Sequence, residues 1–496
     1  MQENTSRSVR FLLNGEPVEL DGVDPTRSVL SFLREERRCT GTKEGCAEGD
    51  CGACTVVIGE LVRDRLRLGA VNACIQFVPM LDGKALFTVE YLRQQDGALH
   101  PVQQAMVDHH GSQCGFCTPG FVMSLWQNHT DNVEAGRRAD RAELASCLSG
   151  NLCRCTGYRP IIDAGLAMYD LPSPGFDREG IAARLRSIRS DAGLTLSYGK
   201  MTFHAPRELD DLLQLRSDAP EATVLAGCTD IGLWVSKQFR DLGDIHYLGE
   251  IEELKRIERT DATLKIGAGV SLSDAYRALA ELYPQLDEMW ERFASVPIRN
   301  AGTLGGNVAN GSPIGDSMPW LIALGARVEL AGAGGRRDMP LESLYVDYMK
   351  KSMRADELVS AIEVPLPLPD LHFRTYKLCK RYDSDISAVC AAFALRLKGE
   401  RIVSARVAYG GMAATPKRAP GCESALEGRR WNESSVRAAM AALDEDFAPL
   451  DDMRASAGYR SRTAANLLYR CYLETRPVDP LPPGRTTVFA PLQEVS

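Results

Sequence analysis

The sequence has no surplus of positive charge: 58 Lys and Arg residues stand against 66 Asp and Glu residues, a net charge of −8 over 496 residues. We therefore expect no nucleic-acid partner, which would require a basic surface. No uncharged apolar run reaches the roughly 18 residues of a transmembrane helix, so no membrane partner is expected. The polar stretch Met1–Leu20 lacks the apolar core of a secretory signal, which predicts a cytoplasmic protein. Internal repeats are also missing, and the length predicts about three globular domains.

Cysteine is what the sequence does have: 15 residues, which in a reducing compartment need a role other than disulfide bonding. The first group has the plant-type [2Fe–2S] ferredoxin spacing: Cys46, Cys51, Cys54 and Cys74. Such a cluster needs four thiolates and a loop that curls around it. Glycine permits that curl because it adopts positive φ and lacks Cβ, and the loop contains Gly45, Gly49 and Gly52. We predict a [2Fe–2S] site here.

A second group pairs Cys-x2-Cys with Cys-x-Cys, each at the end of a predicted helix: Cys114, Cys117, Cys153 and Cys155. Two such pairs brought together make another four-thiolate site. A structural zinc ion would also accept four thiolates, and this alternative stays open, most of all for the second group, since CxxC is common in zinc sites. The other cysteines lack paired spacing and are expected to be small buried hydrophobes: Cys39, Cys147, Cys228, Cys379, Cys390, Cys422 and Cys471.

The pattern along the chain divides it into segments. Residues 8–90 form a small α+β domain that begins with a hairpin at Asn14-Gly15, and residues 91–170 contain four short predicted helices. A linker is predicted at 171–194, where Pro and Gly are followed by charged residues. From residue 195 the pattern is α/β with many glycines, and the Pro-rich stretch Val364–Asp370 marks a boundary near 368. A C-terminal α+β domain at 369–478 and a Pro-rich tail at 479–496 complete the division.

Two segments indicate a bound ligand. Val224–Gly232 runs from an apolar strand into a Gly-bounded turn, whose backbone amides can hold a pyrophosphate. Phe293–Asp316 contains five glycines, which implies backbone packed closely against something, and a ligand is the economical candidate. Gly267-Ala-Gly269 is not interpreted as a dinucleotide site, because Leu272 occupies the third glycine position.

These motifs resemble the molybdenum hydroxylases, the xanthine dehydrogenase family. The family's GCxEGxCGAC pattern is matched at Gly45–Cys54, and its QCGFCTPG…NxCRCTGYRP pattern at Gln113–Gly120 and Asn151–Pro160. The resemblance covers about residues 8 to 475. It implies an α+β multidomain fold with a ferredoxin-like β-grasp domain, a four-helix [2Fe–2S] bundle, an α/β FAD domain of the vanillyl-alcohol-oxidase type and an α+β C-terminal domain.

The same resemblance implies which residues contact the flavin and the nicotinamide. The first turn would hold the FAD pyrophosphate through Val224, Leu225, Ala226, Gly227, Cys228, Thr229, Asp230 and Ile231. Further flavin contacts carry over to Phe293, Thr303, Asp316, Val359 and Lys377. Residues bordering an NAD⁺ site carry over to Tyr348, Asp383, Ser384 and Asp385. Cys228 stands where the family usually has Gly or Asn, a small departure in a turn that works through its backbone.

The implied function is electron transfer. A large partner subunit with a molybdopterin cofactor would oxidise hypoxanthine or xanthine to urate, and the subunits would form an (αβ)2 heterotetramer. Electrons would pass to the second cysteine group, then to the first, then to FAD and NAD⁺. The chain ends after its FAD unit, so we expect the small subunit of a two-subunit enzyme. The alternatives are the same role in aldehyde or N-heterocycle oxidation, a stand-alone iron–sulfur flavoprotein reductase, and a zinc-stabilised scaffold.

Overall fold

The computed structural model describes residues 5–94 and 96–488, so the last part of the predicted tail, 489–496, lies outside the described residues. Contacts within the chain divide it into two compact units. Unit 1 runs to Glu252 and also includes Ser295–Gly302, and unit 2 comprises Glu253–Ala294 and the chain from Thr303. None of the helices in the described ranges has the length and apolar character needed to cross a membrane.

The first sheet of unit 1 has the predicted ferredoxin-like β-grasp fold. Its strands lie in the order Glu16–Asp21, Ser8–Leu13, Ala85–Phe87, Thr55–Val62 and Arg65–Asn72. Asn14 and Gly15 take positive φ values of 52° and 89°, so the first hairpin closes with Leu13 opposite Glu16, as an Asn-Gly turn requires. A helical segment packs its buried apolar side against this core: Val29–Ser31 continued by the π-helix Phe32–Glu36.

Helices follow this sheet in the chain, as the sequence predicted. They are Pro101–Asp108, Thr118–Glu134, Arg141–Cys147 and Arg159–Ala167. Proline lies in the first two positions of three of them, where its missing N–H costs no helical hydrogen bond. Phe121, Leu125 and Trp126 put large apolar side chains into the core of this bundle. Short 3-10 turns lie around it at Ala73–Ile75, Val78–Leu81, Val89–Leu92 and Met168–Asp170.

The stretch predicted as a linker, 171–194, contains an 11-residue helix, Arg178–Ile188. Ile181 and Leu185 are buried in the same core as the four-helix bundle, and Arg178 donates to the backbone oxygen of Leu66 at 2.9 Å. The many charged residues of this stretch conceal an apolar stripe at helical spacing, so the prediction of a linker did not include the helix. The stretch is therefore structured over much of its length rather than an extended connector.

The second sheet of unit 1 carries the predicted pyrophosphate turn. Its strands lie in the order Thr5–Ser6, Gly193–Tyr198, Met201–Ala205, Ile245–Tyr247 and Thr223–Leu225. The helices of this part are Leu209–Asp218, Ile231–Ser236 and, from the returning segment, Val296–Ala301. Strand Thr223–Leu225 runs parallel to Ile245–Tyr247, and the turn follows its carboxyl end, the usual place for a ligand in such a sheet.

Unit 2 contains two larger sheets and a small hairpin. The first sheet has the order Ile257–Arg259, Thr263–Gly267, Leu358–Pro365, Arg327–Gly332 and Gly335–Pro340. The second has the order Leu371–Leu378, Val389–Lys398, Arg401–Gly410 and Lys417–Arg418, and the hairpin pairs Tyr345–Asp347 with Lys350–Lys351. The helices are Leu272–Leu282, Asp287–Arg292, Leu304–Asn310, Ser317–Leu324, Pro420–Leu426, Glu433–Asp446 and Ala457–Thr475.

Each large sheet of unit 2 has its own apolar core. The core of the first contains the almost wholly apolar helix Ser317–Leu324, with Trp320 fully buried. The core of the second lies between its strands and the C-terminal helices, around Phe393, Tyr409 and Trp431. The fold is thus the predicted α+β multidomain type.

Candidate functional site

The first cysteine group, which we name the loop site, consists of Cys46, Cys51, Cys54 and Cys74. Cys54 and Cys74 are buried, and the other two are half-buried. Strands Thr55–Val62 and Arg65–Asn72 pair with Thr55 opposite Asn72. Because Cys54 comes just before the first strand and Cys74 just after the second, this register brings the two cysteines side by side.

Hydrogen bonds in the loop site favour the thiolate form of Cys46. The Cys46 sulfur accepts from the amides of Glu48 at 3.5 Å and Cys51 at 3.3 Å. The thiols of Cys51 and Cys74 also donate to it, and they hold the pKa of Cys46 far below its ordinary value. The side-chain amide of Asn72 lies 3.9 Å from the Cys54 sulfur. Amides that point at sulfur are the donors by which a protein tunes a [2Fe–2S] cluster.

Two glycines of this loop stand where a side chain would not fit. A Cβ on Gly45 would lie 2.8 Å from the Cys51 sulfur. Gly52 has a φ of 68°, and its Cβ would lie 2.2 Å from the backbone oxygen of Gly150. Gly45 therefore lets the loop close around the Cys51 sulfur, and Gly52 lets the loop approach the backbone at Gly150.

The second group, which we name the helix site, consists of Cys114, Cys117, Cys153 and Cys155. Cys114 and Cys155 are exposed, and Cys117 and Cys153 are half-buried. Cys117 directly precedes helix Thr118–Glu134, and the Cys153–Cys155 loop comes shortly before helix Arg159–Ala167. The sulfur atoms of Cys114 and Cys155 are 3.7 Å apart.

The two half-buried cysteines of the helix site have opposite electrostatic surroundings. Burial raises the pKa of Cys117 to about 12. Burial also acts to raise the pKa of Cys153, but hydrogen bonds from the Thr156 hydroxyl at 3.2 Å and amide at 3.4 Å bring it below its ordinary value. Thr156 therefore stabilises the thiolate that a metal ligand must become.

Every cysteine of the two groups contacts another cysteine of its own group. In the loop site, Cys46 contacts Cys51 and Cys74, and Cys74 also contacts Cys54. In the helix site, Cys114 contacts Cys155 and Cys117 contacts Cys153. A [2Fe–2S] cluster takes four thiolates, two for each iron, so this donor set fits it. Within residues 5–94 and 96–488, no three His, Cys, Asp or Glu side chains are arranged to hold a single metal ion.

One side chain that we did not single out from the sequence joins the two cysteine loops. Asn151 is buried, its Nδ2 donates to Thr55 Oγ1 at 3.1 Å and to Gly52 O at 3.3 Å, and its Oδ1 accepts from Ser124 Oγ at 2.7 Å. The next amide, of Leu152, donates to the Cys51 oxygen at 3.0 Å. The loops that carry the two cysteine groups therefore contact each other directly.

The predicted pyrophosphate turn in unit 1 presents backbone amides. Within the described residues, the amides of Gly227, Cys228 and Thr229 donate to no protein acceptor. Cys228 is buried and takes a left-handed φ of 65°. Consecutive unpaired amides in such a turn form the kind of concave site that binds phosphate oxygens. The turn therefore fits the pyrophosphate of FAD.

The loop site contacts the segment that carries this turn. The backbone of Ile75 packs against Gly232, where an added Cβ would lie 2.7 Å from the Ile75 oxygen. Ser236 Oγ donates to the Ala47 oxygen at 2.8 Å. The residues that directly follow Cys46 and Cys74 thus reach the short helix that follows the turn.

In unit 2, two predicted flavin contacts form a buried ion pair. Lys377 Nζ donates to Asp316 Oδ2 at 2.6 Å, and both side chains are buried. Lys377 also donates to the Asp385 oxygen at 2.7 Å and to Ser387 Oγ at 2.9 Å. The other carboxylate oxygen of Asp316 is buried and has no partner among the described residues. A buried acceptor without a donor is costly, so this atom fits a hydroxyl of a bound flavin chain.

Of the other predicted cofactor residues in unit 2, some belong to the hydrogen-bond network of Lys377 and others lie elsewhere in the unit. Phe293 stacks on Tyr276 with ring centroids 5.4 Å apart, Thr303 caps helix Leu304–Asn310, and Val359 is buried in its strand. Of the predicted nicotinamide residues, Asp385 accepts from the amides of Lys380 and Arg381 and belongs to the Lys377 network. Asp383 and Ser384 lie in the same loop. Tyr348 is exposed, and in the described part of the chain it forms no hydrogen bond with that loop.

Glycines of Phe293–Asp316 pack against protein. A Cβ on Gly305 would lie 2.3 Å from Ala268 Cβ, and one on Gly311 would lie 2.7 Å from the Tyr345 ring. The prediction that a ligand explains the glycine content is therefore wrong at these two positions. Close approach of backbone to neighbouring side chains needs glycine just as a ligand would.

Four protein families match the chain. A 2Fe-2S iron-sulfur cluster binding domain matches residues 11–78, and a [2Fe-2S] binding domain matches residues 88–166. An FAD binding domain in molybdopterin dehydrogenase matches residues 199–367, and a CO dehydrogenase flavoprotein C-terminal domain matches residues 374–475. The matches follow the chain order of the loop site, the helix site and the turn.

Curated proteins and solved structures resemble the chain over different lengths. The xanthine dehydrogenase of Drosophila pseudoobscura pseudoobscura is 31% identical over 95% of this chain and 39% of its own length. Aldehyde oxidase 1 of Bos taurus is 30% identical over 94% of this chain and 39% of its own. The chain thus spans about two-fifths of these relatives.

Among solved structures, a chain of carbon monoxide dehydrogenase from Hydrogenophaga pseudoflava aligns with a TM-score of 0.52 and 27% identity, over 54% of this chain and 94% of its own. A chain of quinoline 2-oxidoreductase from Pseudomonas putida 86 aligns with a TM-score of 0.51 and 26% identity, over 56% of this chain and 98% of its own.

Proposed function

Because the chain belongs to the molybdenum hydroxylase family as an iron–sulfur and FAD part, we propose that it is the electron-transfer subunit of a xanthine dehydrogenase. A large partner subunit with a molybdopterin cofactor oxidises hypoxanthine or xanthine in this proposal. The two subunits form an (αβ)2 heterotetramer in the cytoplasm, and NAD⁺ is the final acceptor.

The cofactors would be held by the residues already described. The loop site and the helix site would each supply four thiolates to a [2Fe–2S] cluster. In unit 1, the turn of residues 224–231 would bind the pyrophosphate of FAD. In unit 2, Asp316 and Lys377 are the proposed flavin contacts. When bound, the clusters would supply one-electron transfer, and the flavin would supply two-electron storage and hydride transfer to NAD⁺. The protein supplies position and electrostatic tuning.

The proposed order of electron transfer rests on the difference in solvent exposure between the two cysteine groups. Cys114 and Cys155 of the helix site are exposed in this chain, whereas Cys54 and Cys74 of the loop site are buried. The segment after Cys74 contacts the segment that carries the pyrophosphate turn. This arrangement supports entry of electrons at the helix site and their exit from the loop site to the flavin.

The test is to co-express the chain with a molybdenum subunit and to follow NAD⁺ reduction by xanthine. In Cys153→Ala, iron and acid-labile sulfide should fall from about four to about two of each per chain, since each cluster contains two. Xanthine should then reduce the flavin at least about a hundredfold more slowly, while NADH still reduces it. Normal flavin reduction by xanthine in this variant would overturn the proposed order.

The same relay in aldehyde oxidation is the second candidate. It is supported by the similarity to aldehyde oxidase 1, at 30% identity against 31% for xanthine dehydrogenase. Assays of the same complex with aldehydes and N-heterocycles distinguish the two, because the substrate is chosen by the partner. If no molybdenum subunit co-purifies and the chain alone oxidises NADH, a stand-alone iron–sulfur flavoprotein reductase replaces both.

A further inference from the structure

Gln76 connects the loop site to the pyrophosphate turn. It follows Cys74 by two residues, and its side chain is 4% exposed. Its Nε2 donates to the backbone oxygen of Gly227 at 3.0 Å, across 151 residues of sequence. The Gln76 side chain therefore connects the segment that follows the proposed ligand Cys74 to the turn, at the point where its unpaired amides begin.

The peptide that Gln76 holds is the one that presents an amide to the ligand. The oxygen of Gly227 and the N–H of Cys228 belong to one planar trans peptide, so they point in opposite directions. The hydrogen bond from Gln76 holds this oxygen so that it points toward the loop site. The Cys228 N–H of the same peptide must therefore point away from the loop site. That amide has no protein acceptor among the described residues.

Both ends of this contact are themselves fixed. The backbone oxygen of Gln76 accepts from the Val29 amide at 2.8 Å. A Cβ on Gly227 would lie 1.9 Å from the Ala301 oxygen, so the turn is packed tightly against the helix Val296–Ala301 at this point. The donor and the acceptor thus have little freedom to separate while the surrounding backbone is folded.

A neighbouring contact joins the same two segments without touching the turn. Ser236 Oγ donates to the Ala47 oxygen at 2.8 Å, at the end of the short helix that follows the turn. Removing this hydroxyl weakens the contact between the cluster loop and the helix and leaves the Gly227 peptide untouched. Ser236 therefore offers a matched control.

We propose that Gln76 is a positioning residue that orients the Cys228 amide toward the pyrophosphate of FAD and so ties flavin binding to the loop-site fold. The inference rests on the proposed role of the turn in binding FAD. It assigns Gln76 no contact with the cofactor, because it acts through the Gly227 peptide.

The experiment uses the full-length protein with its clusters, stripped of flavin and titrated with FAD by flavin fluorescence. Gln76→Met keeps the length of the side chain and removes the donor, so FAD affinity should fall about tenfold. The phosphorus NMR signals of bound FAD should also shift. Gln76→Glu, which has the same shape and no N–H, should change both in the same direction. Ser236→Ala should stay within about twofold of the wild type and keep its phosphorus signals.

The outcomes separate this inference from the proposed function. Wild-type FAD affinity and phosphorus signals in Gln76→Met would overturn the positioning role and leave the relay standing. An equal loss in Ser236→Ala would also overturn it, since general weakening of the contact would then explain the effect. Iron content and thermal unfolding confirm that each variant is folded. A folded wild-type protein that binds no FAD would overturn the inference and the proposed function together.

Discussion

The loop site and the helix site both offer four cysteines, yet the chain treats them differently. Two cysteines of the loop site lie in an apolar core shared with the β-grasp sheet, whereas two cysteines of the helix site face solvent. The loop site gains its shape from strand register and glycine, and the helix site from the ends of two helices. A sulfur site embedded in a core is part of the stability of the fold, while one at its surface is open to a partner.

The strongest way to break this comparison is to disturb the place where the two loops meet. Gly52→Ala would put a Cβ 2.2 Å from the Gly150 oxygen at a φ of 68°, so we expect a loss of about 3–5 kcal/mol of stability and of both cluster signals. Gly157→Ala is the control, because its φ of 74° is similar but nothing lies within 4 Å. It should cost only about 1–2 kcal/mol. Thermal unfolding and iron content measure both, and equal effects would contradict the crowding argument.

Removing one ligand from each site should sharpen the contrast. Cys54→Ala and Cys155→Ala should each lose one cluster, or about half of the iron. We expect Cys54→Ala also to cost about 2–3 kcal/mol, because the residue is buried in the core and its cluster joins two chain segments. Cys155→Ala should cost less than about 1 kcal/mol, since its side chain is exposed. Thermal unfolding measures the loss of stability in both variants. A larger loss of stability in Cys155→Ala than in Cys54→Ala would contradict the expected difference between the two sites.

Acid should weaken the helix-site domain in particular. Burial lowers the pKa of His100 and of His129 to about 4, below the unfolded value of about 6.5. Between pH 6.5 and pH 4 these histidines are protonated in the unfolded chain but not in the folded domain. The free energy of unfolding that they contribute above pH 6.5 is therefore lost as the pH falls toward 4. Between pH 7 and pH 5 we expect a loss of about 4 kcal/mol, about 2 from each histidine, measured by urea unfolding.

The histidine variants test the cause of that loss. His129 packs against His100 and stacks on Tyr169, and His129→Gln should make the unfolding free energy less dependent on pH by about half. His110→Gln is the control and should leave the pH dependence unchanged, because the His110 side chain is exposed. A pH profile that is the same in His129→Gln as in the wild type would place the acid sensitivity elsewhere.

The smallest expected effect is kinetic. In the isolated chain, an iron chelator should remove the helix-site cluster about fivefold faster than the loop-site cluster, because Cys114 and Cys155 are exposed. EPR spectra of reduced samples taken during the reaction distinguish the two clusters. Binding of the proposed molybdenum subunit should protect the helix site, and equal loss of both signals in the free chain would remove exposure as the difference.

The fold class and both cysteine groups followed from the sequence because their signals are local. Cysteine spacing, the Asn-Gly hairpin and the proline at helix starts each depend on a few neighbouring residues. The helix Arg178–Ile188 was missed because its apolar stripe lies among charged residues, and the packing that stabilises it comes from distant segments.

The contacts that organise the candidate sites could not be predicted in the same way. Gln76 and Gly227 are 151 residues apart, and Asn151 and Gly52 are 99 apart. Asp316 and Lys377 were both expected near the flavin through family resemblance, but their ion pair across 61 residues was not. Contacts of this kind depend on tertiary packing, for which a single sequence carries no short-range pattern.

The return of Ser295–Gly302 to unit 1 has a consequence for how the protein is made. Asn300 donates to the Ala70 oxygen, and Val296 donates to Ser149, so unit 1 is complete only after residue 302 has left the ribosome. At about 5–20 residues per second, the stretch of about 40 residues that separates Glu252 from this segment takes about 2–8 s to translate. During that interval the nascent loops of both cysteine groups lack their contacts with this segment, so unit 1 acquires its complete packing only after part of unit 2 has been made.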